Sequence, residues 1–204
     1  MTPAVRWLAG RRALIAGGGA AIDIVVAALQ RAGAQVTRSS IAAGDEDGIA
    51  DEMALLFDTG GIDILVHGGA PGAERIAVGT GLDDWRTDVS TDLDLRFLQS
   101  AEYVRRCVAA GQAGAILFLA PSSQPRAGHA AAATLTGAID NLVKTLAVEW
   151  ARDGIRINAI ASRLHESQEG GDDVARESLG NLAAYLLSDY AAYISGMVMG
   201  VDEI

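Results

Sequence analysis

The chain is short of several residue types, and each shortage narrows what it does. Among its 204 residues stands one cysteine, Cys107, so no intrachain disulfide is possible, and Cys107 reads as a small hydrophobe on a helix. The three histidines, His67, His129 and His165, lack the spacing of a metal site. Basic residues are outnumbered, 16 against 26 acidic, for a formal charge of -10. Such a balance repels phosphate backbones and anionic lipid, so neither nucleic acid nor a membrane surface is an expected partner. No apolar stretch approaches the roughly 20 residues a membrane span needs, and no signal peptide opens the chain, so a cytoplasmic location is expected.

What is present suffices for a buried core: 50% hydrophobic residues and a mean hydropathy of +0.23, at a length near that of one domain. A single domain over residues 1–204 is expected. Short runs rich in Val, Ile and Leu alternate with stretches of helical period. In order come "RALIAG" at 12–17, a helix to Ala32, "AQVTRS", a helix beginning near Asp47, "IDILVH" at 62–67 and a helical region near 91–111. Then follow "AGAILFLA" at 113–120, a helix over 130–153, "IRINAIA" at 155–161, a helix near 172–188 and "MVMGVD". The alternation predicts the α/β class, with about six parallel strands in one doubly wound sheet covered by helices on both faces. The linker-like segments "AAGDEDG" at 42–48 and "SQEGGDD" at 167–173 read as short acidic loops within that one domain.

A glycine cluster, "IAGGGAAID" at 15–23, follows the first strand, where a Rossmann-like fold binds pyrophosphate at a helix N-terminus. Three later segments accompany it in order: "IDILVHGGA" at 62–70, "LAVEWARDGIRINAIAS" at 146–162 and "YISGMVMGVD" at 193–202. Together they resemble the short-chain dehydrogenase/reductase family over almost the whole chain. The helix end Leu-Ala-x-Glu followed by Gly-Ile-Arg-Ile-Asn-Ala-Ile, and the Gly-x-x-x-x-Val-Asp close, are the most specific parts. The resemblance implies a Rossmann-like domain and, in most members, nicotinamide-dependent oxidoreduction. In those members a tyrosine transfers the substrate proton, a lysine lowers its pKa and holds the ribose, a serine orients the carbonyl, and an asparagine supports a proton-relay water.

Carried onto this chain residue by residue, the tyrosine falls on Ala132 and the lysine on Thr136. The serine falls at Pro121, with Ser122 and Ser123 just beyond it, and the asparagine falls on Asp92, which is expected on a solvated face. Lys144 is the one lysine, and Asp140 stands four residues before it, so no Tyr-x-x-x-Lys exists in any register. That spacing matters because residues i and i+4 share a helix face, where an ammonium favours a phenolate. Tyr103, Tyr185, Tyr190 and Tyr193 have no such neighbour. A nucleophilic triad of Ser122, His129 and a carboxylate is disfavoured, because no G-x-S-x-G elbow presents the serine.

On the cofactor side, the second and third glycines of the family's turn read as Ala21 and Asp23. A methyl group crowds the phosphate position, and the carboxylate suits the positive end of a helix in its own right. The family's Asn-Asn-Ala-Gly appears as His67, Gly68, Gly69 and Ala70, with His67 expected to be packed. Arg38 stands where relatives using NADP bind a 2'-phosphate and reads here as a surface arginine. The stretch between the second strand and the helix near Asp47 is too short for the family's extra helix and strand. The substrate lid is likewise reduced to "SRLHESQEGGDD", with Ser162 and Arg163 in place of Pro-Gly.

These departures predict no catalytic, cofactor-binding or metal residue in this chain. They predict instead a catalytically inactive subunit that assembles with an active short-chain dehydrogenase in a hetero-oligomer, a heterotetramer by the family's habit, in which the partner holds NAD or NADP. The helices near 91–111 and 130–153, with the small residues Ala130 to Ala133, would supply the assembly surface. Two other readings stay open: an active nicotinamide-dependent oxidoreductase with a non-standard site built on Ser122 or Asp92, and a homo-oligomeric ligand-binding or regulatory protein. Whether Gly17, Gly18 and Gly19 still hold a nucleotide is also open.

Overall fold

Strand β1, Arg12–Ala16, shows how the sheet divides the molecule: Ala13 and Ile15 enter one apolar cluster and Leu14 and Ala16 the other, because successive side chains point to opposite faces. The computed structural model describes residues 6–19, 21–41, 45–69, 77–122, 124, 128–165 and 173–201. Ser123, Ala70, Asp202 and, of the two acidic segments, residues 42–44 and 167–172 lie outside the described residues. After β1 come α1 (Ala21–Arg31), β2 (Gln35–Arg38), α2 (Glu46–Asp58), β3 (Ile64–His67), α3 (Leu82–Ala110), β4 (Gly114–Ala120), α4 (Ala130–Trp150), β5 (Ile155–Ala161), α5 (Asp173–Leu187) and β6 (Val198–Gly200). The strands form one parallel sheet in the order β2-β1-β3-β4-β5-β6. This is the expected six-stranded Rossmann-like architecture, with β2 at the edge and, among the described residues, no further strand beyond it.

One apolar cluster packs α1 and α5 against Ile64, Val66, Leu117 and Leu119. The other packs α3 and α4 against Leu65, Ile116, Phe118 and Ile157. Strands β3, β4 and β5 are buried on both faces and therefore read as continuous apolar runs. The asparagine of "IRINAIA" is structural: Asn158 donates to the Ile194 carbonyl at 2.9 Å and accepts the Met197 N–H at 3.1 Å, which aims the chain into β6.

Helix α3 is longer than the sequence suggests, starting at Leu82 instead of near 91. Asp83 and Asp84 favour the positive end of this helix, and Gly111, at φ 63°, ends it in the left-handed region open to glycine. Its first turns are polar and exposed, which hides the helical period that a buried apolar stripe would show. Among the described residues no helix is long and apolar enough to cross a membrane.

Candidate functional site

The chain leaves β1 for β2 on one side and returns to β3 on the other, so the strand order reverses between β1 and β3. In such sheets ligands bind at the carboxyl ends of the strands beside this switch. Here the two strand ends are joined by glycine backbone. The Gly18 N–H donates to the Gly69 carbonyl at 2.6 Å, and the Gly68 N–H to the Ala16 carbonyl at 2.8 Å. Gly17 has φ 71°, and a Cβ on it would stand 2.6 Å from the Gly69 oxygen and 2.8 Å from its nitrogen. No other residue type fits there without moving backbone.

His67 ends β3 fully buried, edge-on to the Phe118 ring, and its Nδ1 accepts the Gly69 N–H at 2.9 Å. The expectation of a packed histidine is met. Asp92 departs from expectation. It is 1% exposed, not solvated, and is paired with Arg96 four residues on, itself fully buried. The Arg96 guanidinium also donates to the His67 carbonyl at 3.2 Å and the Leu119 carbonyl at 2.8 Å, and lies 5.2 Å from the centre of the Phe118 ring. Sealed in this way, Asp92 is in no position to exchange protons with a substrate.

Arg38, read from the sequence as a surface arginine, and Asp23, read as suiting the positive end of a helix, form an ion pair at 2.5 Å between the end of β2 and the start of α1. Both are more than half exposed, so the pair adds little stability, yet it offsets the carboxylate charge at the start of α1.

On the other side of the crevice stand the residues matched to the family's acid–base groups. Ala132 is half-buried and Thr136 buried, one turn apart on α4. The Thr136 hydroxyl lies 3.0 Å from both the Pro121 and the Ala132 carbonyls and donates to one or the other. It thereby ties α4 to the strand end that carries Ser122, a buried serine whose Oγ accepts the Gln124 N–H at 3.2 Å. His129 is the N-cap residue of α4 and makes no side-chain capping bond. Because Arg96 touches the ends of β3 and β4, the turns of α3 before it project past the sheet's carboxyl edge. There Ala77, Thr80, Leu82, Trp85, Asp88 and Ala131 line a cavity of about 280 Å³. The sequence held one signal for the missed Arg96, its place four residues after Asp92.

Known proteins place this arrangement. The family described as Enoyl-(Acyl carrier protein) reductase matches residues 23–172. L-xylulose reductase of Mesocricetus auratus is 31% identical over 175 residues, covering 75% of this chain and 71% of that protein. This chain belongs to the short-chain dehydrogenase/reductase family. Gluconate 5-dehydrogenase of Gluconobacter oxydans (strain 621H) is another relative, 26% identical over 179 residues, which are 78% of this chain and 70% of that protein. A short-chain type dehydrogenase/reductase from Mycobacterium marinum superposes with a TM-score of 0.84 at 23% identity, over 97% of this chain and 96% of that one, a likeness of fold.

These relatives correct the expectation of an inactive subunit of a hetero-oligomer. The relatives that align over three quarters of the chain are named as a dehydrogenase and a reductase. The expectation rested on the missing side chains of α4 together with Ala21, Asp23 and the shortened segments, whereas Gly17 and Gly18 after β1 keep close backbone contact with Gly69 after β3. The open alternative, an oxidoreductase with an unfamiliar site, agrees better with the relatives.

Proposed function

We propose that this chain is a nicotinamide-dependent oxidoreductase of a small polyhydroxylated substrate, with Ala132 and Thr136 in the places where the family carries tyrosine and lysine. The observation that supports it most is the Gly17–Gly19 turn. Its glycines have φ 71° and 102° at positions 17 and 19, and a Cβ at Gly17 would strike the backbone of Gly69. Such a turn lets backbone approach a pyrophosphate closely at the N-terminus of α1.

Gly17, Gly18 and Gly19 are the residues that would hold a dinucleotide there, and the Ala21 methyl, which replaces a family glycine, is buried on α1 at 1% exposure. The one unfavourable charge, Asp23, is answered by Arg38, which stands at the end of β2 on the ribose side of the turn. When bound, the nicotinamide supplies or accepts the hydride. Around it, backbone at the turn would hold phosphate, Thr136 would fix the end of β4 and Ser122 would orient the substrate oxygen, with the proton of the alcohol exchanged with solvent water. The relatives named for gluconate and L-xylulose support a sugar-acid or polyol substrate.

Titrating NADH and NADPH while following their fluorescence tests this reading. Saturable change is the expected result, followed by oxidation of the bound cofactor on addition of L-xylulose or a keto-gluconate. Ser122→Ala should then lower kcat about a hundred-fold, the usual effect of removing one donor to a reacting oxygen. An absence of saturable binding at millimolar cofactor would sink the proposal.

A further inference from the structure

A buried ion pair is costly to desolvate, and a well-packed apolar pair of similar volume is often at least as stabilising. The Asp92–Arg96 pair therefore invites a reason beyond stability. Directed donors are what it offers that apolar side chains do not, in a planar fork that meets several acceptors at once. Arg96 uses that fork on the Asp92 carboxylate and on the carbonyls of His67 and Leu119, at the carboxyl ends of β3 and β4.

Gly69 rests directly on this pair. A Cβ there would collide with the Arg96 guanidinium and the Asp92 carboxylate, and the residue has φ 83°. Its carbonyl in turn accepts the Gly18 N–H at 2.6 Å, and its N–H is taken by His67 Nδ1 at 2.9 Å. A continuous run of contacts thus leads from the guanidinium through Gly69 to the glycine turn after β1, with no flexible side chain between.

We propose that Arg96 is a positioning residue for the dinucleotide, acting through Gly69 to set where the Gly17–Gly19 turn presents its backbone. The proposal rests on the nicotinamide-dependent reading above. Arg96 itself touches neither cofactor nor substrate. Its effect is to hold the turn in one place, and misplacement of a binding group by about an ångström carries a large penalty.

The test compares the full chain with Arg96→Met and with the double variant Asp92→Leu/Arg96→Met, reading dinucleotide affinity by fluorescence and stability by thermal unfolding. Arg96→Met should weaken affinity about ten-fold or more and lower Tm, since it leaves the Asp92 carboxylate buried without its cation. The double variant should regain Tm but not affinity. If it regains both, or if neither variant changes affinity, Arg96 is structural only and the proposal falls. Should Arg96→Met fail to fold, the double variant still decides. A wild-type chain that binds neither NADH nor NADPH overturns the nicotinamide reading itself, which is visible before any variant is made.

Discussion

At the ends of β1 and β3, Gly17, Gly68 and Gly69 are closely approached by glycine backbone and by the side chains of His67, Ile22, Arg96 and Asp92, and the space a methyl group would need is already filled. At the starts of α3 and α4, across the same crevice, Ala131, Leu82 and Trp85 line a cavity of about 280 Å³. The first region tolerates almost no change and the second has room to spare. In a family defined by one scaffold and many substrates, the part that grips a common group is under backbone constraint. The part that meets the variable group is made of exchangeable side chains.

The comparison breaks most readily at Gly17. Gly17→Ala places a methyl group against the backbone of Gly69 at a positive φ, and should cost about 2–4 kcal/mol in urea unfolding together with loss of dinucleotide binding. A near-neutral result would show that the turn is looser than its contacts imply. Asn158→Ala sharpens the contrast from the far side of the sheet. It removes two hydrogen bonds to the 194–197 segment and should cost about 2 kcal/mol, while cofactor affinity stays as in the parent. Loss of affinity there would mean that the two regions are not separable.

Gln99 provides a gain. Both of its side-chain amide atoms are buried without a hydrogen-bond partner, so Gln99→Leu should raise stability by about 1 kcal/mol, or Tm by roughly 2–4 °C at this chain length. A lower Tm would reveal an ordered water that the amide serves.

The smallest effect concerns alkaline pH. Burial pushes the Cys107 thiol up to about 11, partly opposed by its hydrogen bond with Tyr103, and burial also raises the Tyr103 hydroxyl. A folded-state value above the unfolded one means that the folded chain keeps a proton the unfolded chain releases. The contribution of Cys107 is complete below the ordinary thiol value of about 8.5 and fades as pH rises to about 11. Urea unfolding at stepped pH should show that decline. A thiol that reacts readily with a disulfide reagent in the folded state near neutral pH would contradict it.

Much of this was legible in the sequence. The strands announced themselves because β3, β4 and β5 are buried on both faces, and the "IRINAIA" signature owes its asparagine to the turn it pins. Counting back from the helix end matches Ala132 and Thr136 to the family's tyrosine and lysine, and the two stand one turn apart on α4. Asp92 was misread because an aspartate four residues before an arginine ordinarily forms a surface pair. Only the rotation of α3, which buries Asp92, Arg96, Gln99 and Tyr103 along one face, shows otherwise. The step from absent family residues to an inactive subunit failed for a different reason: it weighed losses on α4, at Ala21 and Asp23 and in the shortened segments, whereas relatives aligned over three quarters of the chain are named as a dehydrogenase and a reductase.

The sheet's outer border carries its own consequence. Among the described residues strand β2 pairs only with β1, and a far side of that kind is the border to which another chain adds a strand. It is four residues long, mostly exposed, and ends in the charged Arg38. A border so short and so polar offers little purchase for edge-to-edge growth into fibres.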